Sequence, residues 1–238
     1  MFTLEHFLWM GLCAVLIAGL TLVSIRKKLS LHGAGCIMTG ICLLSELSKI
    51  LSNMLPSEGG GMHLDPGCLP FHLCSLMIFV VLYLTFGKAG GLRLLMMNFL
   101  AVAGLLGSVS AILIPTNGTD FSSLPAYQCF VYHAGLLWFA LYLILSGQAQ
   151  LGTLGSLAKN LALMLGLCVG MLYGNSALSA YDTNFFYLTR PPMENLPYLN
   201  LDQGWYVYFL RLLILGAGLV ALLHLPFLLL HRKKAPEA

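Results

Sequence analysis

The chain has 238 residues, 58% of them hydrophobic and only 9% charged, against about 25% charged in ordinary soluble domains. A mean hydropathy of +0.85 leaves too little polar surface for a soluble globular enzyme or a disordered chain. The formal net charge of +3, scattered along the sequence, is too small to be a nucleic-acid footprint.

What remains is an all-α polytopic membrane helix bundle. Crossing roughly 30 Å of hydrocarbon takes about 20 apolar residues. About seven stretches qualify: 6–25, 31–55, 69–87, 94–114, 127–146, 159–178 and 205–230. None alternates polar and apolar residues as a membrane-barrel strand does. The first run is preceded by Glu5 and followed by Arg26, Lys27 and Lys28, the reverse of a cleavable signal peptide.

Nine of the twelve lysines and arginines fall on one side: Arg26, Lys27, Lys28, Lys88, Arg93, Lys159, Arg232, Lys233 and Lys234. The opposite loops hold Arg190, and Lys49 and Arg211 lie within spans. The positive-inside rule then puts the N-terminus outside and the C-terminus in the cytoplasm. Outer segments at about 56–68, 115–126 and 179–204 carry most of the Pro, Asp and Asn. The last contains Phe185, Phe186, Tyr187, Pro191 and Pro192, as a segment lying in the headgroup layer would. No internal repeat is visible, and one transmembrane helical domain over residues 1–238 is expected. The oligomeric state is not legible.

Ionisable groups at membrane depth are costly, so each points to function. In chain order these are Glu46 and Lys49 on the second span, His72 and Cys74 at the start of the third, and His133 on the fifth; Arg211 is on the seventh, and the polar Asn175 on the sixth. At 1.5 Å per residue, Glu46, Lys49, Cys74, His133 and Arg211 all fall roughly 8–14 Å below the outer boundary. Groups from four helices at one depth would line a pocket open to the outer leaflet. The inner half reads as nearly bare, with Asn98 and Asn160 close to its ends. Plainer alternatives exist. Glu46 and Lys49 can neutralise each other, Arg211 can snorkel to headgroups, and Cys74 and His133 can be packing residues. The buried charges leave one cation over, whose counter-ion would be Asp182, Glu194 or a lipid phosphate.

Of the seven cysteines, Cys68 and Cys129 both lie at outer span ends and can pair in oxidising surroundings. The run HLDPGCLPFHLC (63–74) offers His63, Asp65, Cys68, His72 and Cys74 as donors, but in no familiar zinc spacing. No metal and no cofactor is therefore expected. Pro70 fits a first helical turn, which would put Cys74 just beyond it as a candidate nucleophile. On a regular helix His72 stands about 200° away from Cys74. A base has to come from another span, and His133 has the depth.

The run LPFHLCSL (69–76) resembles the signature of the YwaF-type family of bacterial integral membrane proteins, relatives of the vertebrate transmembrane protein 164 family. NFLAVAGLLGSVSAILIPT (98–116), FVYHAGLLW (130–138) and NFFYLTRPP (184–192), followed by GWYVYF (204–209), agree in order and spacing. The resemblance implies a compact helical fold of six or seven spans. Through the vertebrate relatives it implies acyl transfer to ether phospholipids by way of an acyl-cysteine, with Cys74 as nucleophile and His133 as base.

The combined expectation is a membrane lipid acyltransferase or lipid hydrolase at the outer leaflet of the plasma membrane, a bacterial inner membrane. Its partners are membrane phospholipids and not nucleic acid. His72 would orient a catalytic partner. Lys49, beside Glu46, or Arg211 would hold a phosphate, and Asn175 would donate to an oxyanion. The rivals are a transporter for a small solute or ion using Glu46, Lys49, His133 and Arg211, and a non-catalytic lipid-binding protein.

Overall fold

A computed structural model describes residues 2–56, 61–193 and 196–234. Among them lie seven α-helices: α1 (Leu4–Arg26), α2 (Leu31–Ser52), α3 (Leu73–Phe86), α4 (Gly91–Leu113), α5 (Leu124–Leu145), α6 (Leu154–Ala177) and α7 (Trp205–Lys234). Six are long and apolar enough to cross a membrane. After α2, short antiparallel strands β1 (Met54–Pro56) and β2 (Met62–Leu64) pair.

Helix starts follow local capping chemistry. Thr3, Ser30 and Thr153 accept hydrogen bonds from the backbone N–H groups of His6, Gly33 and Ser156, the role of an N-cap hydroxyl. The third expected span is the exception: α3 has 14 residues, or about 21 Å of rise. Asp65 accepts from the Gly67 N–H and opens a 3₁₀ turn over Pro66–Cys68. Leu69 precedes Pro70 and is therefore held extended, at φ −56° and ψ 149°. Pro70 thus stands ahead of the helix, not in its first turn. His72 lies in a bend before α3, and Cys74 is its second residue.

The described contacts group the chain into two compact units, Met1–Pro70 with Cys74–Ala149, and Phe71–Leu73 with Gln150–Ala238. In the first unit α5 is central and packs on α1, α2 and α4. Phe130, Ala134, Leu136, Trp138, Phe139, Ala140 and Leu143 are fully buried. Lipid tails are as apolar as leucine, so helix association here depends on close packing and interhelical hydrogen bonds. At one end Trp138 donates to Ser24 Oγ (3.0 Å) and Tyr142 to the Leu29 carbonyl (2.9 Å). At the other, Trp9 donates to the Thr119 carbonyl (3.1 Å) and stacks on Phe121 and Phe130, each at 4.8 Å. Short as it is, α3 also runs between the two ends. The Thr85 carbonyl near its C-terminus accepts from His32 at the start of α2, and the Cys74 carbonyl accepts from Tyr132 of α5.

Glycine sets the α2–α3 approach. A Cβ at Gly35 would lie 2.3 Å from Thr85 Oγ1 and 3.1 Å from Thr85 Cβ, too close to be relieved by a flexible side-chain tip. Gly35→Val is therefore expected to destabilise the protein by about 1–3 kcal/mol through overpacking. Gly40→Ala, where a Cβ meets nothing within 4 Å, should be neutral. Thermal unfolding of both variants in the same detergent checks this.

In the second unit, α6 and α7 run antiparallel. The Asn160 amide donates to His224 Nε2 (3.2 Å) near one end, both side chains being buried. At the other end the segment after α6 is built onto the helices. Asn175 accepts from the Phe185 N–H (2.7 Å) and donates to the Phe185 carbonyl (3.0 Å). Tyr208 donates to the Tyr187 carbonyl, and Trp205 to the Leu188 carbonyl (2.9 Å). Phe185 is fully buried, so it packs inside the unit and does not lie among headgroups.

Candidate functional site

Cys74 sits where four helices of the first unit converge. Its carbonyl accepts a 2.5 Å hydrogen bond from the hydroxyl of Tyr132, which is 3% exposed on α5. From α4, Gly107 faces the thiol: a Cβ there would come within 2.9 Å of Cys74 Sγ. Cys42 and Glu46 of α2 lie within electrostatic reach of the Tyr132 hydroxyl. The Cys129 thiol lies within the same reach of Cys74.

His133 follows Tyr132 on α5, with their rings 5.2 Å apart. Its Nδ1 is 2.7 Å from the Cys129 carbonyl oxygen and 3.6 Å from Cys129 Sγ. A carbonyl oxygen only accepts, so Nδ1 carries the proton and Nε2 the lone pair. The same rule fixes three more rings. His6 donates from Nε2 to the Ile112 carbonyl (2.8 Å) and accepts from the Phe2 N–H at Nδ1 (3.1 Å). His32 donates from Nδ1 to the Thr85 carbonyl (3.0 Å), leaving Nε2 for the Cys36 thiol (3.6 Å). His224 donates from Nδ1 to the Val220 carbonyl (2.9 Å), leaving Nε2 for Asn160. Among the described residues, no hydrogen bond reaches His133 Nε2, and none joins the Cys74 thiol to the His133 ring.

The other expected site residues bond within their own units. Lys49 Nζ lies 2.8 Å from Glu46 Oε1, and the side chains are 17% and 24% exposed, so this pair neutralises itself. Arg211 bonds to neutral oxygens, the Tyr198 carbonyl (3.3 Å), Asn200 Oδ1 (3.3 Å) and Gln203 Oε1 (2.8 Å), and stands 5.6 Å over the Tyr198 ring. Asp182 is not its counter-ion, because it forms a bidentate pair with Arg190 (2.6 and 2.7 Å). Glu194 lies outside the described residues. Asn175 is committed to Phe185, and His72 packs against the Phe185 and Tyr187 rings, each at 5.4 Å. Each of these groups thus has a described partner inside its own unit. A buried polar group gains most from the nearest partner that satisfies it.

Two clefts lie elsewhere. One of about 190 Å³ is lined by Thr21, Ser24, Lys28, Tyr142 and Ser146, and one of about 350 Å³ by Arg190, Pro191, Pro192, Met193 and Leu201. Cys68 and Cys129 are free thiols, with Cys129 buried. Burial and then the Asp65 carboxylate push the Cys68 thiol up, against the opposing effect of Lys49. Among the described residues, no three His, Cys, Asp or Glu side chains gather to hold a metal ion.

Tyr132, Gly107, His32, Cys36 and His224 do not stand out in the sequence. A tyrosine or glycine amid apolar residues reads as core, and only the ionisable side chains His32, Cys36 and His224 offered a signal.

Helices of this length, with a thiol and a carbonyl-anchored imidazole gathered among α2–α5, define an α-helical polytopic integral membrane protein. The model of the TMEM164 family matches residues 1–224, and the chain belongs to that family. No curated protein and no solved structure matches it.

Proposed function

We propose that the protein is a membrane lipid acyltransferase or lipid hydrolase with Cys74 as nucleophile and His133 as base. The observation that carries this reading is the His133 ring, anchored at Nδ1 with its lone-pair nitrogen unoccupied, on the helix whose Tyr132 holds the Cys74 backbone. Membership of the TMEM164 family is compatible with a role in lipid chemistry. We further group the chain with bacterial YwaF-type members, in the plasma membrane and acting on its outer leaflet.

In the proposed step the thiol proton passes to His133 Nε2 as Cys74 Sγ attacks the acyl carbonyl. The acyl–oxygen bond breaks, the departing lysolipid oxygen takes the proton back, and the thioester passes to an acceptor hydroxyl or to water. The thiol must turn toward Nε2, or one water must bridge them, which is common before substrate arrives. Tyr132 and Gly107 position the thiol. Arg211, whose described partners are all neutral, keeps its charge for a lipid phosphate. Asn175 and His72 act on the outer segment. The transporter reading is weaker, because Glu46 and Lys49 satisfy each other.

The test is to incubate the purified protein in nanodiscs with a phospholipid bearing an alkynyl acyl chain, quench in acid and map the labelled cysteine. A hydroxylamine-sensitive label on Cys74, lost with lipid turnover in Cys74→Ala, is expected. Equal turnover in wild type and Cys74→Ala would overturn the assignment.

A further inference from the structure

We infer that Cys36 and His32 form a second thiol–imidazole pair, at the cytoplasmic end of α2, that accepts a fatty acyl chain from a long-chain acyl-coenzyme A. This inference does not depend on Cys74. His32 and Cys36 are one helical turn apart and both exposed. The His32 Nδ1–H is held by the Thr85 carbonyl, and the Phe86 ring meets the imidazole edge-on at 5.7 Å and 82°. Nε2 therefore presents its lone pair, and the Cys36 thiol donates to it at 3.6 Å. This is the nucleophile, base and orienting group that thiol acylation uses. Cys129 lacks the arrangement: the histidine nitrogen beside it already donates to a carbonyl. Gly35 is what lets Thr85 come close enough to orient the ring.

The surroundings suit both ends of such a donor. Arg26, Lys27 and Lys28, all exposed, immediately precede α2 and carry the charge that coenzyme A phosphates would seek. One turn deeper than Cys36, Gly40 faces open space, and Leu43, Leu44 and Leu47 are exposed beyond it. An acyl chain on Cys36 would lie along that apolar face.

In the step, His32 Nε2 takes the thiol proton and Cys36 sulfur attacks the thioester carbonyl. A carbon–sulfur bond forms to Cys36 as the one to coenzyme A breaks, and the departing thiolate recovers the proton from His32. Nothing is oxidised or reduced.

The experiment incubates the full chain in nanodiscs with palmitoyl-coenzyme A and follows intact mass, hydroxylamine sensitivity and peptide mapping. One labile palmitoyl adduct on Cys36 is expected, absent in Cys36→Ser, formed at least about tenfold more slowly in His32→Gln and retained in Cys74→Ala. Retention in Cys74→Ala separates this inference from the proposed lipid chemistry. An adduct-free Cys36 in the wild type, or wild-type rates in a folded His32→Gln protein, would overturn it. Should His32→Gln fail to fold, the wild-type map decides: adducts spread over several cysteines without preference for Cys36 refute the pair.

Discussion

Replacing His133 with glutamine is expected to slow lipid turnover by about 10²–10⁴-fold, the usual contribution of a positioned general base, with the helices still assembled. The ring's described hydrogen bonds are both to Cys129, one turn away on the same helix. Losing the bond to the Cys129 carbonyl should cost only about 1 kcal/mol. The loss should appear in turnover at saturating lipid and not in apparent affinity, because the base acts in the transition state. Cys129→Ala is the matched control. Its sulfur faces the protonated nitrogen, so removing it leaves the basic nitrogen untouched and turnover essentially unchanged. Proteoliposome assays with a fluorescent phospholipid, alongside thermal midpoints, read both. Undiminished turnover in a folded His133→Gln protein would remove the base from the mechanism.

The second large effect concerns the outer segment. Asn175 is 3% exposed and holds both backbone polar groups of Phe185. Asn175→Leu keeps a similar volume but leaves the buried Phe185 N–H unpaired, at about 1–3 kcal/mol, and leaves the Phe185 carbonyl only the longer bond from the Leu188 N–H (3.4 Å). The clamp also sits beside strained backbone. Phe186 and Tyr187 have φ of +59° and +55°, a region that costs a bulky residue of order 1–3 kcal/mol and persists only when neighbours over-determine it. Asn175, Tyr208 and Trp205 supply that constraint from the flanking helices. Asn175→Leu should therefore lower the thermal midpoint and expose residues 179–193 to limited proteolysis. Asn175→Asp, which keeps the acceptor for the Phe185 N–H, should fall between the two.

Most of the helices are legible in the sequence because lipid demands long apolar runs. The expected 94–114 and 159–178 match Gly91–Leu113 and Leu154–Ala177 to within a few residues. The third span was overestimated because hydropathy counts Leu69, Pro70 and Phe71 as apolar without registering that Asp65, Pro66 and Pro70 dictate a turn. Spacing put Glu46 and Lys49 on neighbouring faces but left open whether they pair or hold a ligand, and the 2.8 Å contact pairs them. Depth counting could not show which way each side chain points around its helix. It placed Arg211 and His133 on one level, and the described contacts give Arg211 its partners in Tyr198, Asn200 and Gln203 of the second unit. Tyr132 stayed hidden because its hydrogen bond is to a main-chain carbonyl 58 residues away.

In the proposed chemistry, the brevity of α3 bears on what becomes of an acyl group carried by Cys74. A helix of 14 residues leaves about 9 Å of a 30 Å hydrocarbon slab to irregular chain. Main-chain amides in that interval tolerate only enclosure by protein or a dimple of solvent. Under the proposed chemistry, a solvent dimple there would let water compete with an incoming lipid alcohol for the thioester. The ratio of released fatty acid to re-esterified lipid should then climb as acceptor is diluted from the bilayer.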